Sequence, residues 1–91
     1  MARYLTAAEL DDSVLHCRYI RMRDGALRFG PTEGSFSDMM DEGERRQAVS
    51  AGVLMLGTVV RVEVRGSREL NLGWNPADAS YLEAELGVPV V

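Results

Sequence analysis

The chain has 91 residues, of which 46% are hydrophobic and 26% are charged, and its formal net charge is −4 at pH 7. This length predicts a single α+β domain, 1–91, with one modest core, and the composition excludes an intrinsically disordered chain. The acidic balance disfavours nucleic acid as a partner, because such binding depends largely on neutralising phosphates.

The types of residue exclude several further classes of protein. The ten basic residues are all arginine. Without lysine, the chain cannot use a P-loop lysine or form a Schiff base. A lone cysteine is typical of a reducing compartment, and we find neither a signal-peptide pattern nor the roughly 20 apolar residues of a membrane span. We therefore expect a cytoplasmic protein with no membrane segment.

The first predicted elements are a short helix and a β-hairpin. The helix is expected near 7–12, because "TAAE" has the spacing of a capping box. The hairpin is expected in "HCRYIRMRDGALRF", where Asp24-Gly25 is typical of a two-residue turn. We place its strands near 15–23 and 26–30.

The second half of the chain repeats this order of elements. Early acidic residues and a terminal glycine predict a helix over 37–56, although internal glycines weaken it. Alternating valines and charges in "TVVRVEVRG" predict a strand, and a three-residue turn at 66–68 leads to a second strand that ends at Trp74. Asn75-Pro76 is a typical helix start, and it predicts a helix over 76–86.

Together these elements predict an α+β fold in which a small antiparallel sheet is built from two β-hairpins. Two main helices pack on one face of the sheet, and a short N-terminal helix is added. In the second hairpin, Val62 is expected to lie opposite Leu72 and Val60 opposite Trp74, because that register buries one consistent face. The expected core consists of Ile20, Met22, Leu27, Phe29, Met40, Met55, Val60, Val62, Val64, Leu70, Leu72, Trp74, Leu82 and Leu86.

The candidate site is the arginine-bearing hairpin. With a two-residue turn, Arg21 lies directly opposite Arg28 on the outer face, and Tyr19 and Arg23 flank the pair. Like charges directly opposite one another destabilise a sheet, so this arrangement favours an anionic neighbour. Three neighbours are compatible with it: the acidic helix of the same chain, an acidic surface of a partner, and a second copy of this chain.

Catalytic and metal sites are not indicated. His16 and Cys17 are the only histidine and cysteine, but neighbours on a strand point to opposite faces and cannot act as a base and its nucleophile. The acidic residues within 38–44 lack the alternating oxygen ligands of a cation-binding loop. We therefore expect no enzymatic activity, no cofactor and no metal.

One resemblance to a known family involves His16. The segment "VLHCRYI" resembles the G-L-H-x-R-P segment of the histidine phosphocarrier proteins of sugar phosphotransferase systems, and "GTVVRVEVRG" is similar to their late strand. The resemblance implies an open-faced α/β sandwich in which His16 opens a helix and accepts a phosphoryl group, while Arg18 steadies the phosphate. Two positions depart from the pattern: Val14 replaces the glycine, and Tyr19 replaces the proline.

The sequence favours a non-catalytic protein-interaction module. We expect it to self-associate, as a homodimer that covers otherwise open edge strands, or to bind an acidic protein surface through the hairpin. The predicted binding residues are Tyr19, Arg21, Arg23 and Arg28. Two alternatives stay open: a nucleic-acid-binding module that uses the same arginines, and a degenerate phosphocarrier-like protein with His16 as the phosphoryl acceptor.

Overall fold

In a computed structural model, which describes residues 1–63, 67 and 70–91, the chain forms a four-stranded antiparallel sheet. The strands are β1 (His16–Met22), β2 (Leu27–Gly30), β3 (Ala48–Met55) and β4 (Arg61–Glu63), and their order across the sheet is β2-β1-β3-β4. One α-helix, α1 (Asp78–Leu86), and 3-10 turns at Ala7–Glu9, Phe36–Met39 and Arg45–Gln47 complete the described elements. In these ranges, no helix is long and apolar enough to cross a membrane.

The predicted helix over 37–56 is wrong. Its second half is β3, a central strand between β1 and β4, and its first half contains only 3-10 turns. A short apolar run can form a helix or a strand. Here the run pairs with β1 on one side and with β4 on the other, so β3 is a central strand. An ideal Cβ at Gly52 would lie 2.8 Å from Cε1 of Tyr19, so glycine allows β1 and β3 to pack closely here.

The predicted set of helices is therefore corrected. Over the described ranges, the fold is α+β with one main helix instead of two, and a single 3-10 turn stands in place of the N-terminal helix. The helix expected over 76–86 is present as α1. It ends at Gly87, which has φ +71° and donates its N–H to the Glu83 carbonyl at 2.9 Å. This left-handed cap is the ending that the glycine predicts.

The hairpin between β1 and β2 is present, but its predicted register is wrong by one residue. The turn contains three residues, Arg23 to Gly25, with Gly25 at φ +91° and a hydrogen bond of 2.8 Å from the Met22 N–H to the Ala26 carbonyl. A type I turn followed by a left-handed glycine is a common three-residue hairpin loop. A shift of one residue turns every side chain of one strand to the other face relative to its partner.

The predicted second hairpin is also corrected where the structure describes it. Val62 pairs with Leu54 of β3, and Leu72 forms a bridge with Ser67. Val60 forms a parallel bridge with Val90, not with Trp74. Val64 and most of the turn at 66–68 lie outside the described residues.

The sheet is covered on both faces, which corrects the prediction of one apolar face. The first cluster contains Cys17, Tyr19, Leu27, Phe29, Leu54, Val60 and Leu82, and α1 packs there. The second cluster contains Ile20, Met22, Met39, Met40, Ala51 and Leu70. Tyr19 was expected outside and is fully buried, whereas Met55 was expected in the core and is 48% exposed. Both differences follow from the errors in β3 and in the hairpin register.

The terminal segments cover parts of both sheet edges. The Leu5 N–H donates to the Phe29 carbonyl at 2.7 Å, and the Phe29 N–H donates to the Leu5 carbonyl at 2.9 Å. At the other edge, the Val60 N–H donates to the Pro89 carbonyl at 2.8 Å. The expectation that the edges lack cover is therefore wrong at these positions.

Candidate functional site

Asp78 carries a fully buried carboxylate at the start of α1. Its Oδ1 accepts hydrogen bonds from Nε of Arg21 and Oγ of Ser50, both at 2.6 Å. Its Oδ2 accepts from the Tyr19 hydroxyl at 2.6 Å and from the Asn75 N–H at 3.1 Å. One carboxylate therefore joins β1, β3 and the start of α1, and the Arg21 guanidinium balances its charge.

This cluster is suited to holding the fold together. Burial and the hydrogen bond to Asp78 raise the pKa of the Tyr19 phenol, because both disfavour the phenolate. The Arg21 guanidinium also lies over the Tyr81 ring, with Cζ 4.6 Å from the ring centroid. The Tyr19 phenol, the Arg21 guanidinium and the Ser50 hydroxyl together fix the Asp78 carboxylate between the sheet and α1.

Arg28 pairs with an acidic residue of the same chain. Its Nη1 and Nη2 donate to Oε1 and Oε2 of Glu44 at 3.0 and 2.6 Å, and Nη1 also donates to the Met39 carbonyl. The Tyr4 ring covers the guanidinium, with its centroid 4.4 Å from Cζ. The hydrogen bonds from Arg28, with that from the Asp41 N–H, lower the pKa of the Glu44 carboxyl to about 2. Two-point pairing of this kind is the strong form of an arginine–carboxylate contact.

We expect a Glu44→Gln variant to be less stable than the wild type, because it loses the charge that pairs with Arg28. The size of this difference in stability should depend on pH. The folded pKa of Glu44 is about 2, below its ordinary value of 4.5, so the contribution is fully present above pH 4.5. It disappears as the pH falls through about 2. Melting temperatures measured across this range should therefore differ most above pH 4.5 and converge toward pH 2.

The exposed neighbour Glu42 provides the control for this experiment. A Glu42→Gln variant should follow the wild type at every pH. A gap between Glu44→Gln and the wild type that stays constant down to pH 2 would show that the Arg28 pair does not stabilise the fold through the charge of Glu44.

The structure separates the four predicted binding residues. Tyr19 and Arg21 are buried in the Asp78 cluster, and Arg28 is half-buried against Glu44. Only Arg23 is exposed, at the hairpin tip. The predicted pairing of Arg21 with Arg28 is wrong, because Arg21 lies opposite Leu27 in the observed register. The role of these residues in binding a partner stays a prediction.

His16 and Cys17 lie on opposite faces of β1, as the strand pattern predicts. The His16 Nε2 atom lies 3.0 Å from Oε1 of Glu63 at the surface. Cys17 is buried, and burial raises the pKa of its thiol to about 11. The phosphocarrier resemblance implies a histidine at the start of a helix, whereas His16 is the first residue of a strand.

Three acidic residues within 38–44 accept hydrogen bonds from other parts of the chain. Asp38 accepts a hydrogen bond from the Ser35 N–H at 3.2 Å, and Glu44 is engaged by Arg28. Asp41 accepts from the Ala2 N–H at 2.5 Å. Within the ranges that the structure describes, no group of three or more histidine, cysteine, aspartate or glutamate side chains is arranged to hold a metal ion.

An apolar surface lies at the end of the sheet where β1 begins. Leu15 is 67% exposed and lines two grooves, with volumes of about 510 and 420 Å³. We call this surface the apolar end, and its apolar lining includes Leu5, Leu10, Val14, Leu15, Leu56 and Leu86. The carboxylates of Asp11, Asp12 and Glu85 lie among the residues that line the larger groove.

The geometry of the apolar end is suited to binding a side chain from another molecule. Exposed apolar surface with a polar rim is typical of protein interaction sites, and grooves of this size accept side chains or small ligands. The grooves were not predictable from the sequence, because they depend on how the segment before β1 meets the end of α1. Comparisons with protein-family models, with curated proteins and with solved structures find no match to this chain.

Proposed function

We propose that the chain is a non-catalytic protein-interaction module that self-associates through its apolar end. The observation that carries this proposal is the exposure of Leu15, which lines both grooves of the apolar end. The terminal segments already cover parts of the sheet edges, so these edges offer less to a partner than the apolar end does. Burial of Leu15 and the groove walls in an interface would remove apolar surface from water, which favours association.

The chemistry of the buried polar groups supports a non-catalytic role. The Cys17 thiol is enclosed and protonated at neutral pH, and the Asp78 carboxylate is fully engaged by protein donors. These groups contribute to packing and to the connection between the sheet and α1. A binding role needs only the exposed surface, and it leaves this buried core unchanged.

We expect the wild-type protein to associate reversibly between low micromolar and millimolar concentration in sedimentation velocity. Replacing Leu15 by Ser should raise the dissociation constant about tenfold or more, because an exposed leucine contributes on the order of 2 kcal/mol when an interface buries it. Val91→Ser is the matched control, since Val91 is 70% exposed but lines neither groove. The control should associate like the wild type.

A wild type that stays monomeric over the whole range would contradict the proposed function. Equal association of Leu15→Ser and the wild type would show that another surface is used. A labelled single-stranded RNA supplies the contrasting test. Salt-sensitive retention of this RNA by monomeric protein, lost in an Arg23→Ser variant, would favour the nucleic-acid alternative instead.

A further inference from the structure

The surface at the other end of the sheet carries three exposed arginines and, at the hairpin tip, the exposed Asp24. β1 begins beside Leu15 and ends at the hairpin that carries Arg23, so its seven residues separate the two by roughly 20 Å. The Arg23 N–H donates to the Gln47 carbonyl at 2.6 Å, and its Nη2 donates to the Arg46 carbonyl at 3.1 Å. These contacts hold the hairpin tip against the 3-10 turn at Arg45–Gln47. We call the exposed residues Arg23, Arg45 and Arg46 the arginine end.

The two ends are complementary. Among the described residues that line the larger groove of the apolar end, three are carboxylates and none is an arginine or histidine. An arginine side chain can lay its aliphatic stem along an apolar wall while its guanidinium pairs with a carboxylate at the rim. Arginine is accordingly enriched in protein interfaces. Tyr81, which is 39% exposed and packs against Gly25, adds an aromatic ring near the arginine end.

We propose that the arginine end of one copy docks on the apolar end of the next copy, so that the chain self-associates head to tail. This inference rests on the proposed self-association and specifies its partner and its two surfaces. A pair joined in this way keeps one arginine end and one apolar end unused, so association continues beyond a dimer into longer assemblies or a closed ring. An assembly that joins two apolar ends would instead stop at a symmetric dimer.

Two charge-reversed variants test this arrangement. The first, Asp12→Arg with Glu85→Arg, makes the rim of the groove basic, and both positions are exposed. The second, Arg23→Glu with Arg46→Glu, makes the arginine end acidic. Alone, each variant carries charges of the same sign at its two ends, so two copies repel where they would dock. We expect its dissociation constant to rise at least tenfold above that of the wild type. Mixed in equal amounts, the two variants present opposite charges to each other and should associate again.

Circular dichroism establishes that each variant is folded before sedimentation is measured. If either variant is unfolded, two neutral variants replace the charge-reversed ones. The first carries Asp12→Asn and Glu85→Gln, and the second carries Arg23→Gln and Arg46→Gln. Each neutral variant should show weakened association. Restored association in the mixture supports the head-to-tail contact. A mixture that stays monomeric overturns the head-to-tail contact. The same holds if the variant with Arg23→Glu and Arg46→Glu, measured alone, associates as tightly as the wild type. A monomeric wild type overturns the proposed function itself, so the two failures are distinguishable.

Discussion

An Asp78→Asn variant should lose about 3–5 kcal/mol of its free energy of unfolding, because it leaves the Arg21 guanidinium buried without its carboxylate. Small domains unfold with about 5–15 kcal/mol in total, so this single change should bring the chain close to its unfolding threshold. Denaturant titration followed by circular dichroism measures the loss. The large expected effect reflects the position of Asp78, where β1, β3 and the start of α1 meet.

Two further variants locate the origin of this loss. Glu42→Gln makes the same kind of change, from a carboxylate to an amide, at an exposed position and should leave the free energy of unfolding within about 0.5 kcal/mol of the wild type. Arg21→Met combined with Asp78→Asn removes both charges, so the double variant should cost less than the sum of the two single variants. A loss below about 1 kcal/mol for Asp78→Asn would contradict the role that we assign to this carboxylate.

A Leu82→Ala variant should lose about 2–5 kcal/mol, because it opens a cavity where α1 packs on the sheet. The helix has nine residues, and isolated helices of that length are marginal in water. Its stability therefore depends on the buried leucine. The same titration measures the change, with Ala84→Ser on the exposed side of α1 as the control. Equal stability of the two variants would show that α1 does not depend on this contact.

The sequence predicted the elements that have strong local signals. The Asp24-Gly25 pair located the first hairpin, and Asn75-Pro76 with Gly87 located α1. The register of the hairpin was not predictable from the same residues, because a glycine in the left-handed region suits both a two-residue and a three-residue turn. That single residue decides whether Tyr19 and Arg21 share a face of the sheet with Phe29 and Leu27 or with Arg28.

The strand β3 was missed for a different reason. Its residues are mostly small, and Ala48, Ala51 and Met55 share a helical face as readily as a strand pattern. The pairing of β3 with β1 and β4 decides the outcome, and long-range pairing of this kind leaves little trace in a local pattern. Gly52 indicates a strand packed closely against β1 only once Tyr19 is known to lie against it.

The candidate site was only partly predictable. The arginines were recognised as needing acidic neighbours, and the structure provides Asp78 for Arg21 and Glu44 for Arg28. Asp78 carried a detectable local signal, because Asn75-x-x-Asp78 has the spacing of a capping box, and the Asn75 N–H donates to it. Its burial was not detectable, since it depends on two strands that meet the start of α1.

The most direct test of the central claim is a dilution series of ¹⁵N-labelled protein followed through backbone amide chemical shifts. If the chain is an interaction module that joins its two ends, concentration-dependent shifts should appear at Asp12, Leu15 and Glu85 and again at Arg23 and Arg46. The amides around the buried Asp78 cluster should stay constant. Amide shifts that do not change with concentration, or that change only along the sheet edges, would contradict the account.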